Sequence, residues 1–268
     1  MKKLTILILT AFLFTWSPGK VFAQVLETEE SKPLSPGQWE IGSGLEFQRS
    51  KEGTETALPL SVEYGLSKKF TLLVEPVGFT HIKPKTGTTA KGIGDLEITL
   101  FYQLLAEKGS MPSISISAEV KIPTAKNSLI GTGKTDITPY LIMSKTTGHF
   151  FTSLNLSYTF LGKPAGVTAN NVINYALGTI YTLSPKNILF TEFYGNTAAI
   201  DAPESIPILL SSTITTQEIS GGENVFALGF GHYIRKEFLL SMGISYDNKK
   251  AMLFRPGFEW KFGGRKNK

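Results

Sequence analysis

Cysteine is absent from the 268-residue chain, which excludes disulfides, thiolate nucleophiles and thiolate-bound metals together. Histidine is almost absent as well, with only His81, His149 and His232. None of the three has a Ser, Asp or Glu partner at a spacing that marks a catalytic triad, so no catalytic residue is expected and the chain does not read as an enzyme. No His/Asp/Glu cluster has metal-ligand spacing either, and neither a metal nor another cofactor is expected. Past the first two dozen residues there is no run of about eighteen apolar positions, the length a membrane-crossing helix needs. Charged residues make up 18% and hydrophobic ones 41%, a balance too apolar for a disordered chain. No Lys/Arg stripe is interleaved with aromatics, which argues against a nucleic-acid partner.

What is present begins with an export signal. Lys2 and Lys3 precede an apolar run from Leu4 to Trp16, then a Ser17-Pro18-Gly19 breaker and Val21-Phe22-Ala23 at the position a signal peptidase reads. The spacing predicts a signal peptide over 1–23 and a mature chain starting at Gln24. Without residues 1–23 the chain carries 24 basic and 22 acidic residues, so the formal net charge falls from +5 to +2. Residues 24–36 read as a polar periplasmic lead, 37–262 as one domain and 263–268 as a short tail.

Within 37–262 the hydropathy alternates with period two between Gly, Lys, Asn, Ser and Pro clusters, the pattern of successive strands. Twelve segments follow: 37–48, 56–66, 69–82, 93–105, 112–123, 134–145, 149–160, 171–183, 187–197, 224–235, 238–247 and 251–262. Most are longer than the five or six residues usual in globular sheets and match the roughly nine to eleven of a tilted membrane strand. The expected fold is all-β, a transmembrane antiparallel β-barrel of about twelve strands set in outer-membrane lipid. A soluble sandwich would share the alternation, but strand length, the export signal and aromatics near strand ends (Trp39, Phe47, Phe70, Tyr102, Tyr158, Phe160, Tyr181, Trp260 and Phe262) favour the membrane. Connections alternate short and long, which places the short ones at the periplasm and the long ones, Lys83–Gly92, Pro123–Gly133, Lys163–Asn170 and Asp201–Glu223, outside. The closing strand from Phe254 to Phe262 resembles the terminal signal read by the barrel-assembly machinery, an expected partner.

Charge on the lipid side of a barrel is costly, so the charged positions of these strands are assigned inward. The expected lumen lining is Glu40, Glu46, Glu63, Glu75, Asp95, Glu97, Glu119, Lys121, Asp136, Glu192, Arg255, Glu259 and Lys261, ten acids against three bases. Closure places the first strand beside the last, so Glu40 and Glu46 are expected to pair with Lys261 and Arg255 across that seam. Gly131-Thr132-Gly133-Lys134-Thr135 has the look of a phosphate loop, but a strand containing Pro139 follows it rather than a helix amino terminus, so it reads as an outer loop.

Gly92-Ile93-Gly94-Asp95-Leu96-Glu97-Ile98 with Phe101-Tyr102 forms one motif, and Lys121-Ile122-Pro123-Thr124 a second. With Gly131-Thr132-Gly133-Lys134-Thr135-Asp136, Pro139-Tyr140 and Asn155-Leu156-Ser157-Tyr158-Thr159, these stretches resemble the outer-membrane family labelled "putative MetA-pathway of phenol degradation" across residues 90–262. The resemblance implies a transporter-like barrel found near genes that degrade aromatic compounds, and fixes no binding residue. Passage of an unidentified small organic molecule is therefore the leading expectation. A plugged barrel serving structure or surface contact comes second, and a lipid hydrolase third. Outer-membrane phospholipase A also has twelve strands, but its His two residues before a Ser-Asn-Gly run has no counterpart here.

Intact-mass measurement on protein recovered from outer membranes should give a chain beginning at Gln24; retention of residues 1–23, or recovery from the soluble periplasm, would overturn the export reading.

Overall fold

Strands that alternate apolar and small polar residues have two unlike faces, and the architecture follows from which face turns inward. The computed structural model describes residues 27–165, 168–199 and 222–264. The export segment 1–23, the expected amino terminus at Gln24, residues 201–221 of the longest loop and residues 265–268 of the tail lie outside these.

Among the described residues there are twelve antiparallel strands and no helix. They are β1 (Gln38–Gly44 continued by Glu46–Arg49), β2 (Gly53–Gly65), β3 (Phe70–Pro84), β4 (Ala90–Gly92 continued by Leu96–Leu105), β5 (Ser113–Ile122) and β6 (Asp136–Thr147). The second half comprises β7 (Phe150–Thr159), β8 (Val172–Ser184), β9 (Asn187–Asn196), β10 (Glu223–Arg235), β11 (Phe238–Asp247) and β12 (Met252–Gly263). No boundary differs by more than three residues from the alternation reading.

Each strand pairs with the next, and β1 returns to pair with β12 from Gln38↔Gly263 to Gly44↔Gly257 and again from Phe47↔Phe254 to Arg49↔Met252. The sheet is thus a closed barrel without a free edge. The break at Leu45 is chemical rather than topological. Its N–H reaches the Pro256 carbonyl at 2.9 Å, but Pro256 has no N–H to return the bond. The register is the same on both sides of the gap. A true irregularity lies between β2 and β3, where the pairing shifts between Leu58↔Phe79 and Pro59↔Val77.

The apolar face is turned out. Leu100, Ile116, Leu141, Leu156, Leu177, Phe226, Leu240 and Trp260 are 39–55% exposed, while Ser115, Thr99, Ser153 and Thr159 are buried inside. A sandwich would show the reverse, so the outward band is a lipid-facing one. Rings gather at the end where the chain enters and leaves. Trp39 packs on Tyr64 (centroids 4.4 Å), Phe70 on Tyr102 (4.7 Å), Phe150 on Tyr181 (4.8 Å) and Trp260 on Phe262 (4.7 Å). The short turns, 148–149, 185–186 and 236–237 among them, sit at the same end.

One inner region is apolar rather than polar. Phe151, Ile180, Ile188, Phe190 and Leu239 form a buried cluster beneath β7–β11, with Tyr233 against it. It needs room that Gly229 provides, since a Cβ there would lie 2.0 Å from Phe190 Cζ and 2.4 Å from the Met242 carbonyl oxygen. Gly229→Val should destabilise the barrel by about 1–3 kcal/mol through overpacking, seen as a lower temperature for the mobility change in detergent gels. Gly78→Ala, where the nearest atom is 3.7 Å away, should leave that temperature unchanged.

Candidate functional site

A barrel solvated outside by lipid has its chemistry inside, and inward charges must pair, bind water or meet a ligand. Eleven of the thirteen expected lining residues border two internal cavities. Glu46, Glu75, Asp95, Glu97, Glu119, Lys121, Asp136 and Arg255 line a cavity of about 250 Å³. Glu40, Glu63 and Lys261 line a smaller one of about 40 Å³. Glu192 holds residues 27 and 28, and Glu259 lies 3.6 Å from Lys261. Across the seam Lys261 Nζ meets Glu40 Oε2 at 2.6 Å and Arg255 Nη2 meets Glu46 Oε1 at 2.6 Å, the two pairs that strand closure predicts.

The polar lead departs from its expected place. Where it is described, residues 27–36, its stretch 27–34 enters the lumen rather than remaining in the periplasm, and the interior side chains take up its backbone groups. Leu34 N–H donates to Thr71 Oγ1 (2.9 Å), Ser31 N–H to Ser144 Oγ (3.0 Å), and Ser115 Oγ donates to the Ser31 carbonyl (2.5 Å). Ser153 Oγ donates to the Glu29 carbonyl (2.6 Å), and the Asn155 amide accepts from Glu29 N–H (2.7 Å) and donates to the Glu29 carbonyl (3.2 Å). Glu192 accepts from the N–H groups of Glu27 (2.9 Å) and Thr28 (2.6 Å) and from the Thr28 hydroxyl. Arg255 Nη2 donates to Glu27 Oε1 at 2.8 Å. The physical reason is that a segment of buried polar backbone needs partners, and the Ser, Asn and Thr of the inner face supply them. Gly178 makes the fit possible, because a Cβ there would stand 2.2 Å from Thr28 Oγ1.

This segment runs between the two cavities, with Glu27 and Glu29 on the larger and Glu29 to Leu34 on the smaller. It also adds Glu27, Glu29 and Glu30 to the lumen. Residue pattern alone missed them, since the lead has no period that fixes a face. Glu55 was missed for a simpler reason, its strand being started at 56, three residues late, and it is buried with both carboxylate oxygens lacking a hydrogen-bond partner.

At the outer end, Lys121 Nζ lies 2.5 Å from Asp136 Oδ2 and 3.9 Å from Asp95 Oδ2, all three buried. The acids in turn fasten loops. Asp95 accepts from Ala125 N–H (3.0 Å), Asp136 from Gly162 N–H (2.7 Å), and Thr124 Oγ1 donates to the Gly94 carbonyl (2.8 Å). Ile130 from the same loop packs, fully buried, on Ile82 and Ala90. The loop 123–135, expected to lie outside, folds back over the mouth.

The larger cavity has two characters. Carboxylates of Glu75, Glu97 and Glu119 stand near Leu73, Val77, Phe101 and Tyr140, while Asn155, Ser157, Asn174 and Asn196 line the opposite wall. Tyr140 donates to Glu119 at 2.9 Å. The arrangement offers hydrogen-bond acceptors beside apolar surface and holds more acidic than basic side chains. The histidines lie elsewhere: His232 contacts Asn187 at 2.8 Å, His149 stands near Tyr181 and His81 near Phe79.

A family model described as "Putative MetA-pathway of phenol degradation" matches residues 56–205. No curated protein matches the chain. Among solved structures, an outer membrane channel from Pseudomonas putida F1 has a TM-score of 0.68 at 11% identity, covering 88% of this chain and 100% of that one. The NanC porin (TM-score 0.56, 11% identity, 83% and 100% covered) and the KdgM porin bound to disordered oligogalacturonate (0.53, 12%, 83% and 99%) are also similar. At such identities the likeness is one of fold.

Removing the lysine alone leaves two buried carboxylates uncompensated, which costs about 3–5 kcal/mol for a buried pair. Lys121→Met should therefore speed hydrogen exchange in 123–135 and around Gly162, and adding Asp95→Asn and Asp136→Asn should reverse most of that change; equal exchange in parent and single variant would contradict the tether.

Proposed function

We propose, from the premise that the chain belongs to the family described as "Putative MetA-pathway of phenol degradation", that it is a bacterial outer-membrane channel for small organic molecules. The molecules favoured are neutral or cationic, hydroxylated aromatic compounds among them. The observation that carries this reading is the cavity of about 250 Å³, in which Glu75, Glu97 and Glu119 stand beside Leu73, Val77, Phe101 and Tyr140. A phenolic hydroxyl donates to a carboxylate while its ring packs on apolar surface, and an anion meets repulsion in a narrow lumen where the field is poorly screened. The family description and the porin-like fold support passage rather than catalysis.

The inserted segment supports a second reading, a closed barrel that serves structure or surface contact. It is held by Glu192, Arg255, Ser144, Ser115 and Asn155, so passage requires it to move. Planar-bilayer recordings separate the two. The parent should show small, intermittent, cation-preferring conductance. Deletion of 24–34, or Gly178→Val, which displaces Thr28, should raise the open fraction. Neutralising Glu75, Asp95 and Glu97 together should weaken the cation preference. Anion selectivity would overturn the reading of the lumen, and silence in both the parent and the deletion would establish the closed barrel.

A further inference from the structure

The outward face of the barrel is uncharged around most of its outer rim, where Ile122, Ile137, Phe160, Ile173, Phe226 and Tyr246 are exposed. One sector differs. On β1, β3 and β4 the outward positions nearest the mouth are Arg49, Lys83 and Lys91, all exposed, with the half-buried His81 between them. The register puts them together: Arg49 pairs with Thr54 and Thr54 with Lys83, so arginine and lysine stand two strands apart in one row. In the next row Thr56 pairs with His81 and His81 with Lys91. At about 4.8 Å between strands, Arg49 and Lys83 are roughly 10 Å apart. Lys51 and Lys85 extend the patch into the adjoining turns, which are joined by the Lys85 N–H to Glu52 carbonyl bond of 2.7 Å.

Glu52 is the one acid in this sector's turns, and none of the five cations forms an ion pair among the described residues. Immediately below them the same strands expose Phe47, Leu58 and Phe79 to lipid. Cations at the top of an apolar belt sit at headgroup depth, where long side chains extend to anionic groups. The outward direction rules out a role in the lumen field.

We propose that the outer rim of β1–β4 binds the phosphorylated glucosamine headgroup of one lipopolysaccharide molecule, with Arg49, Lys83 and Lys91 on its phosphates and Phe47, Leu58 and Phe79 along its acyl chains. Planar guanidinium and the paired ammonium groups match phosphate oxygens, and a spread of roughly 10 Å suits a headgroup carrying phosphates at both ends of a disaccharide. The inference rests on the outer-membrane placement proposed above and is independent of whether the lumen conducts.

Native mass spectrometry of the detergent-purified mature protein tests it, with diphosphorylated lipid A, its monophosphorylated form and phosphatidylglycerol as probes. The parent should retain one diphosphorylated lipid A, and retain the monophosphorylated form and phosphatidylglycerol more weakly. Arg49→Gln/Lys83→Gln/Lys91→Gln should weaken lipid A retention by about tenfold or more, while Lys134→Gln/Lys163→Gln, on loops over the mouth, should not change it. Equal retention by the triple variant, or equal retention of phosphatidylglycerol and lipid A by the parent, would overturn the site. If the triple variant fails to assemble, Lys51→Gln/Lys85→Gln takes its place, with weaker retention expected and unchanged retention overturning the proposal. A parent that conducts but retains no lipid A refutes this inference alone, and lipid A retention with both the parent and the 24–34 deletion silent refutes only the channel.

Discussion

Backbone N–H and C=O groups in hydrocarbon have no water to bond, so a sheet that faces lipid must close on itself, and in this chain the closure is the seam between β1 and β12. Its hydrogen-bonded register runs from Gln38 opposite Gly263 to Arg49 opposite Met252. The seam is interrupted only where Pro256 lacks a donor. Glu40–Lys261 and Glu46–Arg255 lie across it on the inner face, so the residues that close the sheet also neutralise part of the lumen. Because these bases are committed to the seam, the acids of β3, β4 and β5 face the larger cavity with Lys121 as the nearest cation, and that cation is itself committed to Asp95 and Asp136.

Charge alone does not explain why the lumen also holds residues 27–34. Carboxylates repel the carboxylates of Glu27 and Glu29, and the segment remains because its backbone is bonded at successive points by Thr71, Ser115, Ser144, Ser153, Asn155 and Glu192. Arg255 offsets part of the repulsion by bonding both Glu27 and Glu46. The segment is thus held by many modest bonds, each worth about 0.5–1.5 kcal/mol net, against an electrostatic opposition that salt and pH both alter.

The strands and their faces were legible in the sequence because period two is a direct imprint of a barrel wall with lipid on one side. Even the seam pairs could be read, since closure dictates which strands meet. The insertion of the lead could not be read. Its contacts use backbone groups that every residue carries, and Gly178, which makes space for Thr28, looks like any other small inward residue of β8. The apolar cluster around Phe151, Phe190 and Leu239 was hidden for a related reason, because an inward phenylalanine breaks the alternation and reads as an exception. Where the pattern has a single cause the sequence reveals it; where three-dimensional neighbours supply the cause it does not.

The family motifs carry the same lesson into function. Gly92 to Ile98, Lys121 to Thr124 and Gly131 to Asp136 are distant in sequence, yet Asp95, Lys121 and Asp136 meet around one ammonium group, and Thr124 bonds to the Gly94 carbonyl. Their shared work is to fold loop 123–135 over the mouth and hold it there, with Ile130 buried on Ile82 and Ala90 as the apolar half of the fastening. A motif that closes a mouth sets who enters by size and by timing, whereas discrimination among molecules that fit falls to the side chains deeper in the cavity. Glu75, Glu119, Leu73 and Tyr194 lie outside the quoted motifs and line that cavity.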